Sequence, residues 1–132
     1  MNAAQPVTRV YLVEDSPILT NLLVGLLEAE PEVLVIGHAD NAHAAIREIV
    51  EHRPDAVVLD LHLREGSGID VIRALRVAGT LPTCIVLTNH SGLPYRKAAL
   101  DAGAHHFFDK SAEIPSMLAL LRTLAGSGHT KK

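Results

Sequence analysis

Five short β-branched runs alternate with five longer amphipathic ones, and that alternation restricts the fold more than any other feature of the chain. Strands separated by helix-length connections do not pair as hairpins; they pair in parallel, with the helices packed over the sheet. The first run, Arg9–Val13, leads into Asp15-Ser16-Pro17, a capping residue and then a proline suited to a first helical turn. The helix that follows carries Ile18, Leu19, Leu22, Leu23, Leu26 and Leu27, which predicts an inward stripe. Gly25 inside it costs about 1 kcal/mol against alanine, and close packing is the expected reason. Pro31 breaks the helix, Val33–Gly37 reads as a second strand, and Asn41 caps a helix with Ala42, Ala45, Ile46 and Ile49 inward. Pro54 ends the next turn, and Ala56–Leu59 is apolar on both faces, as a central parallel strand is.

Gly66 and Gly68 mark a loop before a helix over Ile69–Ala78, which buries Ile69, Ile72 and Leu75 and closes at Gly79. Pro82 opens a fourth strand through Leu87, Ser91-Gly92-Leu93-Pro94 opens a fourth helix, and Gly103 suits a left-handed cap. Ala104–Phe108 reads as the fifth strand. The last helix starts near Ala112, with Pro115 in its first turn and Ile114, Met117, Leu118, Leu121 and Leu124 inward. The expectation is one doubly wound α/β domain over 1–125, helices on both faces of a five-stranded parallel sheet, with a flexible tail over 126–132 and no output domain.

Composition narrows the function classes. A chain of 132 residues with 48% apolar and 20% charged residues is long enough for one sizeable core and too apolar for a disordered segment. A net charge of −3 argues against nucleic acid as a partner, and Lys131-Lys132 reads as a solvated tail. Cys84 is the sole cysteine, so no intrachain disulfide or thiolate metal cluster forms, and its apolar neighbours make it a buried thiol. No signal pattern or bilayer-length apolar stretch is present, which places the expected site of action in the cytoplasm, away from membranes.

In an open parallel sheet, ligands bind beyond the carboxyl ends of the strands, where the strand order reverses. The residues falling there are Glu14 and Asp15 after the first strand, Asp60 after the third, Thr88 at the end of the fourth and Lys110 after the fifth. Three carboxylates in one crevice repel; two unit charges at about 4 Å cost about 4 kcal/mol at an effective dielectric near 20. A hard, oxygen-ligated cation relieves this, and Mg²⁺, which keeps several waters, fits better than a fully caged ion. Asp60, already ionised near neutral pH, can then attack a phosphoryl group in line and form an acyl phosphate. Mg²⁺ and Lys110 would neutralise the transferring oxygens while Thr88 donates a hydrogen bond to one of them.

Glu14-Asp15, Asp60, Thr88 and Lys110, in that order and across essentially the whole chain, resemble the receiver domain of two-component response regulators. The resemblance implies a flavodoxin-like strand order of 2-1-3-4-5. It implies Asp60 as phosphoacceptor; Asp15, Glu14 and Asp60, with the His62 carbonyl, as metal ligands directly or through water; and Thr88 and Lys110 as readers of the phosphoryl group. Phe107, three residues before the lysine, matches an aromatic switch position that moves with Thr88. The implied protein is a stand-alone receiver, phosphorylated by a histidine kinase or phosphotransfer protein and signalling to another protein by contact. It would be a phosphoacceptor switch rather than an enzyme in the usual sense. The chain departs from the common pattern in having Ser111 where proline usually follows the lysine, Arg64 four residues past the aspartate, and Asn89 after the threonine.

Taken singly, these residues have plainer roles: Asp15 as a helix cap, Thr88 as a strand residue, Lys110 as a surface partner of Asp109 worth about 0–1 kcal/mol. Their joint order favours the site. His105 and His106 point to opposite faces of a strand and cannot chelate together, while His38, His43 and His52 have no companion at ligand spacing. His62 and His90, two past Asp60 and two past Thr88, would flank the phosphoryl group, where the resemblance implies an influence on dephosphorylation. Tyr95, Ala98, Ala99 and Leu120 suggest a modest apolar partner surface. Two other classes compete: a phosphatase with an aspartyl nucleophile, which would need an acid where His62 stands, and a phosphorylation-independent binding module.

Overall fold

A computed structural model describes residues 6–127. Strands and helices alternate as β1 (Thr8–Val13), α1 (Pro17–Glu28), β2 (Val33–Ala39), α2 (Ala42–His52), β3 (Ala56–Leu59), α3 (Gly68–Ala78), β4 (Thr83–Thr88), α4 (Leu93–Ala102), β5 (His106–Asp109) and α5 (Ile114–Ser127). All pairings are parallel and the order is β2-β1-β3-β4-β5. The chain winds outward from β1 to β2, then back past β1 to β3 and on to β5. With right-handed crossovers this reversal sends α1 and α5 to one face and the other helices to the opposite one.

Two apolar clusters record the partition, and strand periodicity feeds them in alternation. Tyr11, Val13, Val57, Leu59, Cys84, Val86 and Phe107 meet α2, α3 and α4 through Ala45, Ile49, Ile72, Leu75 and Ala99. Val10, Leu12, Ala56, Val58, Ile85 and Leu87 meet α1 and α5 through Leu23, Leu27, Met117 and Leu121. Every residue of β3 is buried, as expected of a central parallel strand.

The structure departs from the sequence expectations at several points. In α1 only Thr20, Leu23 and Leu27 are buried, while Ile18 is 80% and Leu22 50% exposed. At about 100° per residue, positions 18 and 22 stand on the far side of the helix from Thr20. The six apolar residues therefore form two rows, and one faces solvent. Gly25 has nothing within 4 Å of a Cβ built on it, so close packing does not explain it. The cap of α1 is Ser16, whose hydroxyl accepts from the Leu19 N–H, not Asp15. Asn41 caps α2 as expected.

β2 runs two residues further than expected and β5 starts two later; at His105 the backbone N–H still donates to the Cys84 carbonyl, while the ring Nδ1 accepts the Cys84 N–H, each at 2.9 Å. Gly103 has a positive φ of 128° outside the left-handed helical region. Ala99 is buried and so is no part of an apolar partner surface, while Leu120 is half-buried against the second cluster. α5 begins at Ile114 and continues through Ser127, past the expected end at 125. Lys131-Lys132 lies outside the described residues.

Candidate functional site

Backbone hydrogen bonds continue just past the strand ends and carry the polar residues into place. The Glu14 N–H donates to the Ala39 carbonyl at 3.0 Å, Asp60 N–H to Val13 at 3.0 Å, and Lys110 N–H to Thr88 at 2.9 Å. Glu14, Asp60, Thr88 and Lys110 are all buried, on the carboxyl edge where the order reverses between β1 and β3. Lys110 Nζ donates to Glu14 Oε1 and to Asp60 Oδ2, each at 2.8 Å. The ammonium thus joins residues from three strand ends, and it does not pair with Asp109. Burial by itself would lower the Lys110 pKa, but the hydrogen bonds and charges of Asp60 and Glu14 outweigh it and hold the amine above its ordinary range.

The remaining oxygens divide unequally. Glu14 Oε2 accepts the Ser16 N–H at 3.1 Å, so both of its oxygens are engaged. Asp60 Oδ1 has one long contact, 3.4 Å from the His62 N–H, and Asp15, next to Glu14 in sequence, is half-buried with no side-chain partner among the described residues. Glu14 and Asp15 open into a cavity of about 420 Å³ between α1 and α2, whose wall also includes His38, Asp40 and Glu48. Among the described residues no three His, Cys, Asp or Glu side chains gather closely enough to cage a metal. Mg²⁺ does not need such a cage, since it takes one or two carboxylates and keeps its waters. Asp15 and Asp60 Oδ1 are the underused hard oxygen donors here, and one or two such carboxylates are what Mg²⁺ takes, whereas both oxygens of Glu14 are already engaged.

The loop after Asp60 folds back over the site, and Gly68 makes that possible. A Cβ on Gly68 would lie 2.3 Å from the Asp60 carbonyl oxygen and 3.0 Å from Leu61 Cα, while its N–H donates to Leu61 O at 2.9 Å. Gly66, at φ 81°, is also closely approached: a Cβ there would lie 2.5 Å from Ala42 Cβ. Read from the sequence, both are loop markers; the contact that requires glycine at position 68 is tertiary. Arg64 reaches Asp40 at 2.9 Å, so it ties this loop to the start of α2.

Thr88 is fully buried and its hydroxyl accepts the His90 N–H at 3.1 Å, without a hydrogen bond to Asp60 or Lys110. The His62 and His90 rings stack with centroids 3.7 Å apart, and Tyr95 of α4 packs on both at 5.6 and 5.3 Å. Tyr95 was readable in the sequence only as an exposed aromatic; its place in a ring cluster beside Asp60 follows from how α4 sits. Phe107 is buried, with the Arg96 guanidinium 5.4 Å above its ring. Ser111 donates both its N–H and its hydroxyl to Asp109 Oδ1, at 2.8 and 2.6 Å, and a proline could make neither bond.

The chain is thus a doubly wound five-stranded α/β domain in which a lysine bridges two buried acids at the point where the strand order reverses. The chain belongs to the response regulator receiver domain family, whose model matches residues 10–122. It is 34% identical over 114 residues to a protein-glutamate methylesterase/protein-glutamine glutaminase of Nocardioides sp., covering 85% of this chain and 31% of that protein. It is 32% identical to the transcriptional regulatory protein YvfU of Bacillus subtilis, covering 86% and 57%. The chain therefore spans from just under a third to just over half the length of these relatives. The signal receiver domain of NarL from Mycobacterium tuberculosis superposes with a TM-score of 0.85 at 25% identity, covering 92% of this chain and 98% of that one.

Proposed function

We propose that this chain is a phosphorylation-controlled receiver that accepts a phosphoryl group on Asp60 from a histidine kinase or phosphotransfer protein. The observation that carries the reading is the buried Lys110 ammonium 2.8 Å from Asp60 Oδ2, which pins one carboxylate oxygen and leaves Oδ1 free of any short contact. Oδ1 forms the new bond to phosphorus as the donor's phosphorus–nitrogen bond breaks, and the departing imidazole nitrogen takes up a proton. Lys110 stabilises charge on the transferring oxygens, and Thr88 reaches them once its hydroxyl turns from the His90 N–H. Asp15 and Asp60, the His62 carbonyl and, through water, Glu14 would hold Mg²⁺. When bound, the ion would supply positive charge against the same oxygens. Water attack at phosphorus later returns inorganic phosphate and the Asp60 carboxylate.

Phosphoryl capture draws Thr88 inward and Phe107 follows by packing, since it has no hydroxyl; the group shifts a pre-existing equilibrium. Output is contact with another protein. Among the described residues no helix is long and apolar enough to cross a membrane.

Incubation with phosphoramidate or acetyl phosphate and Mg²⁺ tests the central claim. A hydroxylamine-sensitive mass increase, lost in Asp60→Ala, is the expected result. An unlabelled wild-type chain refutes it, and rapid multiple turnover of a phosphomonoester would favour a phosphatase instead.

A further inference from the structure

Lys110 is held at its ammonium by two acids, but the loop that carries it is held by its neighbour. Asp109 is the last residue of β5, opposite Thr88 in the parallel register. Its Oδ1 accepts the N–H and hydroxyl of Ser111, and its Oδ2 accepts the Ser91 hydroxyl at 2.9 Å. Its own N–H donates to Glu113 Oε1 at 2.8 Å. Ser91 lies three residues past Thr88, directly before Gly92, which caps α4 without a side-chain bond. No residue from Asn89 to Ala98 is buried. Among the described residues, the Ser91–Asp109 bond is the one side-chain hydrogen bond joining the loop after Thr88 to the strand end that leads into Lys110.

We infer that Asp109 is a positioning residue for phosphoryl transfer: through Ser91 it ties the segment behind Thr88 to the segment behind Lys110, so that hydroxyl and ammonium meet the same phosphoryl group. The inference rests on the proposed role of Asp60. A carboxylate suits the task because it accepts all three bonds at once, and a charged acceptor makes each stronger than an amide would. The Ser111 bonds, then the Ser91 bond, hold the Asp109 carboxyl below its ordinary pKa, so it stays charged at neutral pH. The backbone bond from the Lys110 N–H to the Thr88 carbonyl fixes the two strand ends. Without the tether, however, the ten exposed or half-exposed residues after Thr88 are held to their surroundings by ring contacts to His62 and Phe107. The Thr88 hydroxyl, which accepts the His90 N–H from that loop, is then aimed less firmly at the site.

Ser91→Ala removes the tether and leaves the Asp109–Ser111 bonds intact. With phosphoramidate and Mg²⁺, its rate constant at saturating donor should fall roughly three- to tenfold, the scale of one ordinary net hydrogen bond. The half-saturating donor concentration should hold within about twofold, as expected when uniform binding is untouched. Ser91→Thr, which keeps the hydroxyl, should restore the rate. Asp109→Asn should slow labelling by a similar factor, and the double variant should add little, because both changes cut one link. A wild-type rate in Ser91→Ala, or an equal fall in Ser91→Thr, overturns the tether while leaving Asp60 labelling intact. A wild-type chain that takes no label overturns the underlying reading and the tether with it.

Discussion

Replacing Lys110 by methionine tests the electrostatics of the site without invoking any ligand. Glu14 Oε1 and Asp60 Oδ2 each lie 2.8 Å from Nζ, so they are at most about 5.6 Å apart. Their side chains are 3% and 10% exposed, and methionine leaves them facing each other uncompensated. At an effective dielectric near 20 the repulsion is about 3 kcal/mol, or about two pH units of proton affinity for the pair. Breaking a buried pair on one side costs about 3–5 kcal/mol at neutral pH.

The sign of the pH response follows. In the folded variant the pair retains a proton about two units above the ordinary carboxylate range, so the folded state binds more protons than the unfolded one between about pH 4 and 6. Stability should therefore rise on acidification, by about 1 kcal/mol between pH 7 and 5 relative to wild type. Wild-type Lys110 does not confuse the comparison. Its raised pKa contributes stability that is fully present below 10.5 and lost only as pH rises through the higher folded value. Urea unfolding of both proteins at pH 7 and 5 gives the difference directly. A deficit that is equal or larger at pH 5 would falsify the claim that two carboxylates share this ammonium.

Gly68→Ala should cost about 1–3 kcal/mol in urea unfolding, since its Cβ meets the Asp60 carbonyl at 2.3 Å; a wild-type midpoint would contradict the close approach. Cys84 is fully buried and its thiol is pushed up to about 12 by burial, so it should resist thiol reagents at pH 8 until urea is added. Prompt labelling of the native protein would contradict that burial. His62→Ala and His90→Ala should each shorten the life of the acyl phosphate roughly two- to fivefold, since either change removes one ring of the exposed stack that flanks the loop after Asp60 and admits more water there. The double variant should be no worse than either single one, and unchanged half-lives would dismiss a role for the stack.

Much of the fold is legible in local pattern. Ala56–Leu59 is apolar throughout because a central strand meets helices on both faces, and the observed β3 has those bounds. Asn41, Gly79 and the prolines at 17, 94 and 115 act through backbone conformation and hydrogen bonds within a few residues, so they too can be read directly. In α1, apolar spacing shows that the helix is amphipathic without saying which row meets the sheet. That choice left Ile18 and Leu22 in solvent.

At the site, the sequence determined the kinds of group and their order: acids after the first and third strands, a hydroxyl after the fourth, an amine after the fifth. Hydrophobic periodicity and turn chemistry act over a few residues, so they are written locally and place those groups at strand ends. Only the tertiary structure decided which of them touch. Lys110 reaches Glu14 across 96 positions and Asp60 across 50, Gly68 has to yield to the Asp60 carbonyl, and Ser91 meets Asp109 from another loop. Those contacts depend on the reversal between β1 and β3 and on how each loop packs over its neighbours, and no short-range signal encodes either.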